Sequence, residues 1–497
     1  MDVRDRRPDA HPAESGVLVN TSVADPASVG TVTRAAADAT AGLAALGRAG
    51  RARLLRAAAD EIEARREALV AVASRETHLA DARLNGEVTR TAYQLRLFAD
   101  VVEEGSYLEA TIDHAGDTPM GPGPDLRRML VPLGPVAVFG ASNFPLAFSV
   151  PGGDTASALA AGCPVVLKAH ESHPETSALA FEALLAAAKS AGAPDGTVGL
   201  VFGREAGAAL VTDPHITAVG FTGSLAGGQA LRALIESRPQ PIPFYGELAS
   251  LNPLVVTPAA AAARASEIAS GLATSITGSL GQLCTKPGLV FLPGGPAGDA
   301  LLAEVSALVD AVPAGELLND RVAEGYRSIG TALRAEPGVR VAAGGAVGVA
   351  AVLTVDAGDF TAALAEECFG PLAVVVRYSS EDELLGVLAT LPGSLTATVH
   401  SQPTDDLAPL LAVLQPRAGR LLFDGYPTGV LVAWAQTHGG PWPSTNTVHT
   451  SVGPTAIRRF LRPVTWQNAP ERVLPDELRD DYTGIPRRID GVLLPTG

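Results

Sequence analysis

The chain has 497 residues, enough for about three domains of ordinary size. A hydrophobic fraction of 47% supports a sizeable buried core and excludes global disorder. The net charge of -16, from 37 basic and 53 acidic residues, speaks against nucleic acid or an anionic membrane as a partner, because both recruit basic patches. It leaves room for a small anionic substrate, for which one or two local arginines suffice.

Three cysteines, Cys163, Cys284 and Cys368, form no disulfide framework and suit a reducing compartment, so a cytoplasmic location is expected. Residues 1–17 read as a flexible tail. The polar stretch from Met1 to Ser15 is followed by no apolar signal region. Val131 to Gly153 carries no charge, but Pro135, Asn143, Pro145 and Pro151 divide it into runs that suit buried strands better than a lipid helix. No membrane association is expected.

From Pro26 to Gly105 the pattern is helical. Leu54, Leu55, Ala58, Ile62 and Ala64 recur near helical period, and a second periodic run covers 86–102. Residues 106–132 change character: Tyr107, Leu108 and Ile112 precede a Gly/Pro cluster, and an extended pattern resumes at Leu126, which predicts a protruding hairpin. Alternation follows. Strands are predicted at 136–139, 164–168, 198–201 and 216–219, with helices at 155–161, 175–191, 205–211 and 226–237. Such spacing implies right-handed parallel crossovers and a doubly wound sheet. A second alternating block follows Glu247, with a helix near 260–277, strands near Leu289 and Val374, and helices near Ala300 and Asp382. The Pro-rich segment 458–497, together with the 106–132 hairpin, is expected to form a projecting sheet that pairs subunits.

Cys284 lies in the turn-rich run Gly281-Gln282-Leu283-Cys284-Thr285-Lys286-Pro287-Gly288. Glu247 lies in Phe244-Tyr245-Gly246-Glu247-Leu248, just after an apolar strand, and Asn143 in Gly140-Ala141-Ser142-Asn143-Phe144-Pro145. A thiol, a carboxylate and an amide provide nucleophile, base and oxyanion donor for acyl chemistry. Beside a nucleotide-binding sheet, they point to oxidation of an aldehyde through a thioester. Each has a plainer reading alone: Cys284 as a structural thiol, Glu247 as a strand-end surface charge. Burial would raise Glu247 toward a general base's working range. Cys163 and Cys368 read as structural.

The run Gly220–Gly228 follows a strand and opens a helix. It either cradles a pyrophosphate or is an ordinary strand-to-helix turn. Lys168 ends a strand three residues before Glu171, and the pair either holds ribose hydroxyls or is two solvated charges. No histidine or cysteine spacing suits zinc, so no metal is expected. The serine-hydrolase and P-loop patterns are missing as well.

In this order, the motifs resemble the aldehyde dehydrogenase superfamily from about Leu18 to Pro475. Asn143-Phe144-Pro145-Leu146 is similar to its oxyanion-asparagine motif, Val165-Val166-Leu167-Lys168 to its ribose-binding strand end, and Phe221-Thr222-Gly223-Ser224 to its phosphate turn. Glu247-Leu248 is similar to its general-base segment and Gly281-Gln282-Leu283-Cys284 to its nucleophile loop. Glu366-Glu367-Cys368-Phe369-Gly370-Pro371 resembles Glu-x-Phe-Gly-Pro, whose glutamate holds the nicotinamide ribose. Ala141-Ser142 replaces the usual Pro-Trp, and Ala249-Ser250-Leu251 the usual Gly-Gly-Lys. Both variants are similar to a subgroup of α-ketoglutarate semialdehyde dehydrogenases and NADP-dependent long-chain aldehyde dehydrogenases, as is His438-Gly439-Gly440-Pro441.

The resemblance implies an α/β fold: a Rossmann-like cofactor domain (18–105 and 133–247), an α/β catalytic domain (248–450), and a small β oligomerisation flap with a C-terminal extension (106–132 and 451–497). A homodimer or homotetramer is implied. Cys284, Glu247 and Asn143 would be catalytic. Lys168, Glu171, Arg204, Gly223, Ser224, Gly228, Glu367 and Phe369 would bind NAD or NADP. Phe144, Phe148, Leu283, Thr285 and residues around Trp434 would line the aldehyde pocket. Arg204 resembles the subgroup's 2′-phosphate contact, whereas the charge of Glu171 opposes a 2′-phosphate unless it pairs with Arg204, so dual cofactor use is expected. The implied substrate is α-ketoglutarate semialdehyde (2,5-dioxopentanoate). The alternatives are a medium- or long-chain aldehyde and, more remotely, a catalytically silent structural or binding relative. No carboxylate-binding arginine stands out in the sequence.

Overall fold

The computed structural model describes residues 26–346 and 349–496. The expected tail at 1–17, the start of the cofactor segment at 18–25 and Gly497 lie outside the described residues. Four helices open the described chain: Pro26–Ala45, Gly47–Ala64, Arg66–Thr77 and Asp81–Glu104. Leu54, Leu55, Ala58 and Ile62 of the second share a buried core with Leu84, Val88, Leu95 and Phe98 of the fourth. The fourth helix ends at Gly105, whose left-handed backbone (φ 81°) no other residue could adopt here, because a Cβ would come within 2.2 Å of Ile485.

Five parallel strands make the first sheet, in the order Val198–Val201, Val165–Lys168, Val136–Phe139, Ala218–Thr222, Phe244–Glu247. Val136–Phe139 and Val165–Lys168 are buried throughout, as short apolar runs in a parallel sheet covered on both faces should be. Strand order reverses between Val136–Phe139 and Ala218–Thr222. Ligands of open α/β sheets sit in the crevice beyond such a point. The loops that leave these two strands there begin Gly140-Ala141-Ser142-Asn143 and Gly223-Ser224.

A second sheet has seven strands, ordered Arg340–Ala343, Ala351–Asp356, Leu372–Tyr378, Leu289–Pro293, Leu254–Val256, Ser394–His400, Ala418–Phe423. Only the edge strand Arg340–Ala343 runs antiparallel to its neighbour. Alternation sends Leu289 and Phe291 into one core with Tyr326, Leu333 and Leu384, and Val290 and Leu292 into the other with Leu272, Ile276 and Leu301. The 106–132 segment and the C-terminal segment join in one five-stranded sheet, ordered Leu461–Gln467, Leu126–Pro132, Thr111–Asp113, Arg487–Ile489, Val492–Leu494. Among the described residues no helix is long and apolar enough to cross a membrane.

Candidate active site

The loop that carries Cys284 is clamped from several sides. It follows the helix Pro258–Thr277 through a short turn in which Ser279, Leu280 and Gly281 all have positive φ. A Cβ at Gly281 would lie 2.2 Å from the carbonyl oxygen of Gly370, so glycine lets this loop rest against the Glu367–Pro371 segment. The Asn252 side chain donates to the carbonyls of Cys284 (2.8 Å) and Lys286 (3.0 Å). Lys286 is buried and donates to the carbonyls of Cys368 and Leu372. The Asn143 amide donates to the Gln282 carbonyl at 3.0 Å, which brings it to the residue just before Leu283-Cys284. Among the described residues, the Cys284 backbone N–H has no acceptor. Asn143 retains a second amide hydrogen, so two donors are available for an oxyanion on a carbon attached to sulfur.

Glu247 is the last residue of its strand rather than one beyond it, and it is buried. The segment 438–451 runs along that strand edge. Asn446 pins it, accepting from the Gly246 N–H and donating to the Phe244 carbonyl, both at 2.8 Å. This brings two side chains onto Glu247 that the sequence reading gave no catalytic role. His438 Nε2 lies 2.9 Å from Oε1, and the Ser451 hydroxyl donates to Oε2 at 2.8 Å. An ionised carboxylate only accepts, so His438 Nε2 carries the proton. The same nitrogen is 3.7 Å from Cys284 Sγ. Sulfur, imidazole nitrogen and a carboxylate oxygen all lie within 4.8 Å of one another.

Burial and the neighbouring charge of Glu247 push the Cys284 thiol well above its ordinary value, so it rests protonated. Burial also works to raise Glu247. The electrostatic pull of His438 and the hydrogen bonds from His438, Ser451 and Cys284 outweigh it, and the carboxyl sits below its ordinary range. This corrects the expectation that burial would raise it: the carboxylate is held ready as an acceptor by its partners. Replacing His438 with Phe removes one of those partners, so burial regains control and the Glu247 carboxyl rises. The base form is then lost at higher pH, and the acid limb of the turnover profile moves toward neutrality. Turnover at neutral pH should fall about 10²-fold. A pH–rate profile that keeps its acid limb would contradict control of Glu247 by His438.

A cleft of about 530 Å³ opens at the strand-order reversal. Asn143, Glu247 and Cys284 line it, together with Glu171, Arg204, Gly223, Ser224, Glu367 and Phe369. The thiol therefore faces the crevice in which the topology places a ligand. Ser224 accepts from the Gly227 N–H and caps the helix Leu225–Glu236. Gly228 is not on the cleft wall; it lets that helix pack on Leu248, which a Cβ would approach to 2.4 Å. Lys168 is buried and its ammonium pairs with Glu171, so Glu171 is held by Lys168 and not by Arg204. Arg204 and Arg321, the latter absent from the sequence expectation, line the cleft. Neither has a carboxylate within ion-pair distance among the described residues. Burial pushes Glu367 up to about 7. Near neutral pH its carboxyl can therefore donate or accept at a sugar hydroxyl.

The Phe144 and Phe148 rings meet at a tilt of 59° with centroids 5.2 Å apart, and Phe148 lies 5.9 Å from the His438 ring, so Phe148 reaches the catalytic cluster and Phe144 packs behind it. Leu283 is half-buried and Thr285 buried beside the thiol. Trp434 itself is 54% exposed, on a turn.

A model of the aldehyde dehydrogenase family matches residues 2–463. Alpha-ketoglutaric semialdehyde dehydrogenase 2 of Azospirillum brasilense is 50% identical over 459 residues, covering 89% of this chain and 87% of that protein. Alpha-ketoglutaric semialdehyde dehydrogenase of Acinetobacter baylyi is 44% identical over 461 residues, with the same coverage of each. Among solved structures, PnpE from Pseudomonas sp. WBC-3 superposes with a TM-score of 0.75 at 26% identity, covering 91% of this chain and 92% of that one. 1-Pyrroline-5-carboxylate dehydrogenase from Thermus with bound NAD superposes with a TM-score of 0.76 at 24% identity, covering 90% and 86%. With the family model spanning nearly its whole length, this chain belongs to the aldehyde dehydrogenase family and is an NAD(P)-dependent oxidoreductase of aldehydes.

Proposed function

We propose that the protein oxidises α-ketoglutarate semialdehyde (2,5-dioxopentanoate) to the dicarboxylic acid, with Cys284 as nucleophile, Asn143 and the Cys284 N–H as oxyanion donors, and Glu247 as base. The observation that carries the chemistry is the convergence of Cys284, Glu247 and His438 within 4.8 Å, with Cys284 and Glu247 on the cleft wall. Two relatives at 50% and 44% identity carry the name of that substrate.

Cys284 passes its proton into the Glu247–His438 pair and adds to the aldehyde carbon. Asn143 and the Cys284 N–H hold the oxyanion as it forms. A nicotinamide bound in the cleft supplies the hydride acceptor. Glu247 then takes a proton from the water that releases the thioester. Lys168 and Glu171 suit the adenosine ribose, Gly223-Ser224 the phosphates and Glu367 the second ribose.

Arg204 and Arg321, both exposed on the cleft wall, favour a 2′-phosphate, while Glu171 opposes it; both NAD and NADP are accommodated. Glu171→Thr should raise kcat/KM for NADP relative to NAD roughly tenfold or more, since a facing like charge costs at least about 1.4 kcal/mol. The substrate is tested by reduced-nicotinamide formation with 2,5-dioxopentanoate, pentanal and decanal. The first should lead in kcat/KM by roughly tenfold or more. A lead for decanal would replace this substrate with a long-chain aldehyde.

A further inference from the structure

Three arginines crowd the side of the catalytic cluster away from the cofactor cleft, whose lining includes none of them. Arg83 and Arg90 lie seven residues apart on the helix Asp81–Glu104, so they share one face with Glu87 between them. The Arg83 guanidinium sits 4.6 Å from the Phe144 ring centroid and donates to the Asn143 carbonyl. Arg90 sits 5.2 Å from the Phe148 centroid and donates to the Val430 carbonyl. Arg420, on the strand Ala418–Phe423, donates to the Gly429 and Pro427 carbonyls at 2.8 Å. Successive carbonyls at 429 and 430 thus hold Arg420 and Arg90 side by side. The charge of a Cys284 thiolate is felt by all three guanidiniums.

These cations lack a counter-ion. Among the described residues, no carboxylate lies within ion-pair distance of any of them. Glu87 is the nearest in sequence, but its Oε1 is taken by the Leu146 and Ala147 N–H groups, at 2.7 and 2.9 Å. Burial pushes its carboxyl up, toward the neutral form. Arg83 Nη1, Arg90 Nε and Nη2, and Arg420 Nε are buried with no hydrogen-bond partner. An orphaned buried donor of this kind is destabilising, and an arriving anion that accepts from it removes that cost. A plain alkyl tail would leave it in place.

We propose that Arg83, Arg90 and Arg420 form a cationic end to the aldehyde pocket that binds the carboxylate of an ω-aldehyde acid. The proposal rests on the aldehyde-oxidising reading above and supplies the carboxylate recognition that the sequence did not reveal. Arg90, with two free donor atoms, makes the main contact, and Arg420 flanks it. The site selects for the remote carboxylate and against neutral chains of equal length.

The test compares 2,5-dioxopentanoate with pentanal, which has the same chain length and no carboxylate, on each protein. Because both substrates meet the same enzyme sample, partial misfolding cancels from the ratio of their kcat/KM values. In Arg90→Met that ratio should fall on the order of 10- to 100-fold, with smaller falls in Arg83→Met and Arg420→Met. Arg90→Lys, which keeps the charge, should recover part of it. Calorimetric titration of each protein with glutarate, a dicarboxylate that cannot react, should show weakened binding in the same order. If wild type prefers 2,5-dioxopentanoate and all three methionine variants keep both the ratio and the glutarate affinity, the arginine site is overturned while the substrate reading stands. If wild type itself shows no preference for the acid, both are overturned.

Discussion

Cys284→Ala is expected to abolish aldehyde-dependent reduction of the nicotinamide, a loss on the order of 10⁴-fold or more. No other thiol can take its place. Cys163 is buried, its Sγ donates to the Phe460 carbonyl, and burial pushes it up to about 11. Cys368 is buried, its Sγ lies 3.9 Å from the Tyr326 carbonyl, and it too is pushed up to about 11. Cys284 alone is partly exposed, on the cleft, so limited alkylation of the native protein should modify it first. Because burial and the charge of Glu247 hold its thiol above the ordinary value, alkylation should accelerate with pH through the alkaline range. The enzyme assay and the peptide map together check both statements. Substantial turnover by Cys284→Ala would contradict the mechanism.

Glu247→Gln should split the reaction in two. Removing the carboxylate charge lowers the Cys284 thiol, so alkylation should reach its midpoint at lower pH than in wild type. Thiol addition therefore remains possible. Release of the thioester loses its base, and steady-state turnover should fall by about 10²–10⁴-fold. A rapid-mixing experiment should show a burst of about one reduced nicotinamide per active site, then a slow phase. Equal slowing of burst and steady state would make proton transfer from Cys284, and not water activation, the step that depends on Glu247.

The cofactor half of the fold was legible because its strands come at regular intervals between helices of 9–17 residues, and Val136–Phe139, Val165–Lys168 and Val198–Val201 are short runs rich in valine. The second sheet was less so. Leu254–Val256 is only three residues long, and Ser394–His400 hides its burial behind hydroxyls: Ser394, Thr396, Thr398 and His400 are all buried. Thr396 satisfies its hydroxyl on Asn252, a pairing that local composition cannot announce.

Cys284, Glu247 and Asn143 stood out because each sits in a recognisable local run. His438 and Ser451 did not. They reach Glu247 from about 200 residues away, through Asn446 gripping a strand edge. His438-Gly439-Gly440-Pro441 was visible as a motif, but nothing within it says that its imidazole shares a nitrogen between thiol and carboxylate. The seven-residue spacing of Arg83 and Arg90 was also visible. That both carry buried guanidinium nitrogens without counter-ions depends on Phe144, Phe148 and the 427–430 loop packing against them, which is tertiary information.

A Glu247→Gln sample mixed with aldehyde and nicotinamide cofactor, quenched in acid and digested, should yield the Cys284 peptide heavier by the substrate's acyl group. The Cys163 and Cys368 peptides should be unmodified. An acyl group on another residue, or none anywhere during the burst, would contradict a thioester at Cys284.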